Sequence, residues 1–181
     1  MLNSTFEIEI IEIGWYNGEK SAPYDRCAHG YLKVIIGTEI VVKPDLWLNI
    51  SASGLHLLRT LESNHTKENQ LFRILLPTDG HHLNHLPEDE CVTIETEMDN
   101  GYNWWIEHDN SYVNLTTESN TITKIKIEEY SEQIIQFINK IEEFFSKDIK
   151  KTIPESEYDH KGYLMFKKEW RKTKNKFEKY K

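Results

Sequence analysis

The chain has 181 residues, 38% of them hydrophobic and 29% charged, and a net charge of −8. That length suits one domain, which can bury about 70% of the surface its unfolded chain exposes without a disulfide or a metal. Five Trp, nine Tyr and seven Phe supply large buried area per side chain, which argues against a disordered chain. No run approaches 18 uncharged apolar residues, so no helical membrane span is expected.

Phe6, Ile8 and Ile10 alternate with Glu7 and Glu9, the period of a half-buried strand. The apolar parity then switches to Ile11, Ile13 and Trp15, which predicts either a bulge or a second half buried on both faces. The two β-branched runs of residues 31–44 flank Gly37-Thr38, the pattern of a two-residue type II′ hairpin closed by Pro44. Ser51 or Ser53 is expected to cap a helix over about 51–63 through Leu55, Leu57, Leu58 and Leu61, with Asn64 as its left-handed C-terminal cap. A short buried strand is expected at 71–77 and a loop at 78–91.

From Cys91 to Ile127, turn residues recur at Asp99-Asn100-Gly101, Asp109-Asn110 and Glu118-Ser119-Asn120, which predicts an antiparallel meander. Tyr130, Ile134, Phe137, Ile138, Ile141 and Phe145 form one broad apolar stripe on a helix over 128–149, broken at Ile153-Pro154. A last helix, capped by Asp159, carries Tyr163, Phe166, Trp170 and Phe177 on one face. Strands followed by helices, without βαβ alternation, predict an α+β fold: an antiparallel sheet or meander, one inserted helix, and two C-terminal amphipathic helices packed on the sheet. Residues 1–181 read as a single domain, mainly β with one helix over 1–127 and helical with a basic end over 128–181.

Charge is unevenly spread along this order. Residues 161–181 hold nine Lys/Arg against two Glu, a local +7, which leaves 13 positive and 28 negative charges, −15, on the first 160. So acidic a body repels phosphate backbones, and nucleic acid is expected at most through the tail 161–181. The plainer expectation is that the basic final helix lies on, or is solvated beside, its own acidic domain. The N-terminal stretch has no basic leader and carries glutamates inside its apolar run, unlike a signal peptide. Cys27 and Cys91 read as thiols of a reducing compartment, and a cytoplasmic location is expected.

Few constellations suggest chemistry. His81 and His85 are four apart, with His82 beside them and Cys91 downstream. On a helical turn the outer pair faces one way, and Glu88, Asp89 or Glu90 can add a carboxylate, which makes zinc the metal alternative. Against it stand the absence of HExxH or CxxC spacing and the Gly80 and Pro87 breaks. Cys27 and His29 share a face of a strand, yet nothing marks an orienting group or an oxyanion site. The eight glycines form no phosphate-binding loop. No cofactor is expected.

Trp104 and Trp105 are neighbours, so on a strand one faces the core and the other faces solvent, a helix or a partner. Trp104 and Trp105, extended by Trp47 and by Trp170 with its surrounding Lys and Arg, are therefore the candidate partner-binding residues.

The segments HGYLKVIIG (29–37), SASGLHLLRTLESNHT (51–66), NGYNWWIEH (100–108) and EYDHKGYLMFKKEW (157–170) together resemble small acidic bacterial α+β proteins, a class that includes immunity proteins. That resemblance implies a non-enzymatic role in which the acidic surface binds a protein partner, with a basic partner the expectation; it transfers no site residue. The alternative is a metal or small-ligand binder, or a hydrolase, built on the loop 79–91.

Overall fold

The computed structural model describes residues 5–16, 25–80, 82–85, 91–147, 152 and 156–178. Strand β1 (Phe6–Gly14) pairs antiparallel with β2 (His29–Ile36). The parity switch read from the sequence is a register shift between Ile10 and Glu12, a bulge that leaves Ile11 48% exposed. Gly37, at φ +63, turns β2 into β3 (Glu39–Val42), and β4 (Leu48–Asn49) pairs with the start of β2. The inner face of this four-stranded sheet, through Phe6, Ile8, Leu32, Val34, Ile36 and Val42, is buried.

Helix α1 (Ile50–Thr60) starts where β4 ends, so its N-cap is Asn49 and not Ser51 or Ser53: the Asn49 side chain accepts from Ala52 N at 3.0 Å. All three residues are good cap types, and the pairing of Asn49 with His29 decides between them. Ser51 Oγ accepts instead from Ala28 N at 2.9 Å. Asn64 is not a left-handed cap either; the helix closes at Leu61 in the right-handed region, and the Asn64 side chain accepts from His108 N.

The expected strand at 71–77 shrinks to β5 (Leu76–Pro77). Upstream of it the Asn103 side chain replaces a neighbouring strand, accepting from Leu75 N and donating to Arg73 O. Within the expected loop 78–91, β6 (His82–Asn84) pairs with β7 (Thr93–Glu95), and β8 (Gly101–Tyr102) pairs back on β5. The meander therefore contains three consecutive strands, β9 (Trp105–Asp109), β10 (Tyr112–Thr116) and β11 (Ile122–Lys126). Asn110 and Asn120, at φ 54 and 64, make its two turns.

Helix α2 (Ile127–Ser146) buries Tyr130, Ile134, Ile135, Phe137, Ile138 and Ile141, the predicted stripe with Ile135 added and Phe145 only half-buried. Phe6 packs on Tyr130 at 5.1 Å and on Trp104 at 6.2 Å, so one cluster joins β1, α2 and the start of β9. At the far end of α2, Trp15 packs on Phe144 and Phe145. Helix α3 (Glu157–Phe177) is capped by Ser156, whose hydroxyl accepts from Asp159 N; Asp159 stands in its first turn. It packs on α1, α2 and β6. The helix break at Ile153-Pro154 lies outside the described residues. Antiparallel sheets, one mid-chain helix and two C-terminal helices make the fold α+β. Among the described residues no helix is long and apolar enough to cross a membrane.

Candidate functional site

The four tryptophans do not form one surface. Trp104 is fully buried between Phe6 and the rest of the core, and Trp170 is buried beneath α3 against Gly54 and Phe166. Both leave the set of surface anchors: each is a core residue. Trp105 is half-buried, packed on His65 at 5.4 Å with Lys67 over its ring. The loop that starts at His65, and not α2, covers the second face of the pair. Trp47 alone reaches an open face of the first sheet, where it packs edge-on against Tyr31 at 4.9 Å and lies beside Gly14.

That open face is assembled by register. Residues paired across antiparallel strands point the same way, and Glu7 pairs with Ile35, Glu9 with Lys33, Glu12 with Tyr31 and Ile35 with Ile40. Glu7, Glu9 and Glu12 are exposed and Ile40 is 49% exposed, whereas the other face of the same strands is core. Among the described residues none of these three glutamates has an ion-pair partner. The face thus combines a row of three carboxylates, with Lys33 across from Glu9, and an apolar strip of Ile11, Ile35, Ile40, Tyr31 and Trp47. At the strand's outer end a groove of about 210 Å³ continues it: Glu129 and Glu132 of α2 join Glu7 above Phe6 and Ile125.

Of the histidine segment, His82, His85 and Cys91 are among the described residues. His81 and residues 86–90, with Glu88, Asp89 and Glu90, lie outside the described residues. Residues 82–84 are extended, so the helical turn that would aim His81 and His85 together is not there. His82 is exposed and lies 3.3 Å from Glu97, and Cys91 is exposed. Among the described residues no group of three His, Cys, Asp or Glu is arranged to hold a metal ion.

A second hollow, about 240 Å³, lies between the start of α1, residues 25–27, β6 and the first turns of α3; Arg26, Cys27, Ser51, Gly80, His82 and Tyr163 line it. Its chemistry is muted. Burial, with the Asp25 carboxylate beside it, pushes the Cys27 thiol up to about 12, so it is no thiolate at neutral pH. His29 Nδ1 bonds the Cys27 carbonyl at 3.0 Å, which is not the geometry of an imidazole activating a sulfur. Arg26 is engaged as well, with Nε donating to Thr152 O and its guanidinium 5.8 Å from the Tyr163 ring.

Comparison with family models, with curated proteins and with solved structures finds no match. The open sheet face is the feature that sequence reading missed. Its residues come from positions 7 to 47, and only the register of β1, β2 and β3 brings them together. The alternating glutamates of β1 were the one local signal.

Proposed function

We propose that this chain is a non-enzymatic protein-binding module, immunity-like in kind, whose open sheet face takes a basic protein partner. The observation that carries the reading is the row Glu7, Glu9 and Glu12, which outnumbers Lys33 paired across from Glu9, beside an apolar strip in which Ile11 and Ile40 are exposed and Tyr31 and Trp47 half-buried. An interface needs an apolar, aromatic centre and a complementary field; this face offers both. Unpaired carboxylates raise the association rate for a cationic partner and make it salt-sensitive. Trp47, whose ring is already held by Tyr31, is the side chain suited to be the anchor.

The test is capture from lysate of the native source with the wild-type chain, followed by a hydrogen-exchange footprint of the captured complex. A basic protein released by high salt and protecting β1, β2 and β3 supports the reading. A footprint elsewhere, or a partner that is not basic, contradicts it.

A further inference from the structure

Helix α3 is basic on the side it turns away from the body. Its buried Gly162, Glu169, Trp170 and Thr173 share one side. At the helical period, Leu164, Lys168, Arg171, Lys172 and Asn175 fall in a stripe opposite them. All five are exposed, as is Lys167 on the flank of the stripe, and Leu164 is 53% exposed. From Lys161 to Lys176 the one acidic residue is Glu169, which is turned inward to Arg59 at 2.6 Å. Lys161 pairs with Glu157, Lys174 with Glu142 and Lys176 with Glu62. Among the described residues Lys168 and Arg171 have no ion-pair partner. The helix packs on α1, α2 and β6, whereas Glu7, Glu9 and Glu12 stand on the outer face of the four-stranded sheet. The cationic stripe and the acidic face are therefore separate surfaces of one molecule.

We propose that this stripe docks on the open sheet face of a second copy of the chain, so that copies associate head to tail. The proposal rests on the reading of that face as an acidic docking surface, and it makes a second copy a competitor of the basic partner. The lengths match: the stripe from Leu164 to Asn175 runs about 16 Å, and Glu7 to Glu12 runs about 16 Å along its strand. The chemistry matches as well. Lys168 and Arg171 are set against carboxylates that outnumber Lys33, and Leu164 against Ile11 and Trp47. Because the contact joins two different surfaces, each one leaves a stripe and a sheet face free. The assembly therefore grows past a dimer unless it closes into a ring.

The experiment is sedimentation of the wild-type chain over rising concentration. It is run at about 0.1 M salt, where a Debye length of about 10 Å screens the repulsion between whole chains but not contacts. The weight-average mass should rise with concentration. Lys168→Glu/Arg171→Glu alone, and Glu7→Lys/Glu9→Lys/Glu12→Lys alone, should each self-associate about 10-fold or more weakly. Circular dichroism should stay unchanged in both, because all five side chains are exposed. Mixed together, the two variants should associate again, since an acidic stripe then faces a basic sheet face. Lys126→Glu/Lys140→Glu makes the same charge change as the stripe variant at exposed sites on neither surface, and should associate as the wild type does. A wild type that is monomeric at every concentration overturns the proposal and leaves the capture experiment to decide the sheet face by itself. A mixture that stays monomeric overturns it too, as does a matched-charge control weakened as much as the stripe variant. Heparin binding that is lost with the stripe, in a chain that stays monomeric, would assign α3 to a polyanion instead.

Discussion

Trp170 of α3 lies on Gly54 of α1, so close that a β-carbon at position 54 would stand 2.6 Å from the indole and 3.2 Å from Ile138 Cδ1. Glycine inside a helix ordinarily costs about 1 kcal/mol relative to alanine, so its presence reflects the fit of the ring. Gly54→Ala should therefore destabilise the chain by about 1–3 kcal/mol in urea melts, the cost of overpacking, in spite of the better helix former. Combined with Trp170→Ala, the two losses should fall short of their sum, because the clash exists only while the ring is there.

The α2 stripe packs on the four-stranded sheet through β1 and on the three-stranded sheet through β10 and β11. Phe137→Ala or Ile138→Ala should cost about 2–5 kcal/mol, the range for large-to-small changes at fully buried sites; both side chains are at most 1% exposed. A urea midpoint near the wild-type value would mean that the stripe is not packed as described.

What was legible in the sequence was what depends on local pattern. The parity switch at Ile11 produced the bulge, Gly37 produced the hairpin, and the spacing of Tyr130 to Ile141 produced α2, because strand and helix periods are written into neighbouring residues. What was not legible depends on partners distant in sequence. β6 forms because β7 returns beside it, and β5 takes β8 as its partner across an interval that local propensity does not see. The choice between Trp104 and Trp105 for the core was open until Phe6 and Tyr130 were placed against Trp104. The open sheet face was hidden for the same reason, since Tyr31, Ile40 and Trp47 are brought together only by register. The basic end of the chain did behave as composition suggested, with Lys174 and Lys176 resting on Glu142 and Glu62 of its own body.

Two buried histidines make stability pH-dependent. Burial holds His56 down to about 3 and His65 to about 4, below the ordinary 6.5. His65 Nδ1 also accepts from Leu71 N, a bond that protonation of that nitrogen abolishes. Between 6.5 and these values the unfolded chain binds more protons than the folded one, so stability is full above 6.5 and falls as pH drops toward 4 and 3. At pH 4.5 each histidine should have removed about 2–3 kcal/mol. Urea midpoints from pH 7.5 to 4.5 check this; a flat profile would contradict the neutral, buried state of both rings.

Trp104 and Trp47 should separate core from surface. Trp104→Ala should cost about 3–5 kcal/mol, since the side chain is fully buried. Trp47→Ala should cost less in stability and should instead weaken partner capture, as loss of a central aromatic does at interfaces. Equal stability losses with unimpaired capture would remove Trp47 from the interface.

The recognition reading is tested most directly by the affinity of the captured partner for the wild type and for Glu7→Lys/Glu9→Lys/Glu12→Lys, measured by calorimetry at low and high salt. Reversing these three carboxylates on a face that the core does not use should lower affinity by about 100-fold or more at low salt, chiefly through slower association, and leave the fold intact. An unchanged affinity in the folded variant would show that this face does not bind the partner.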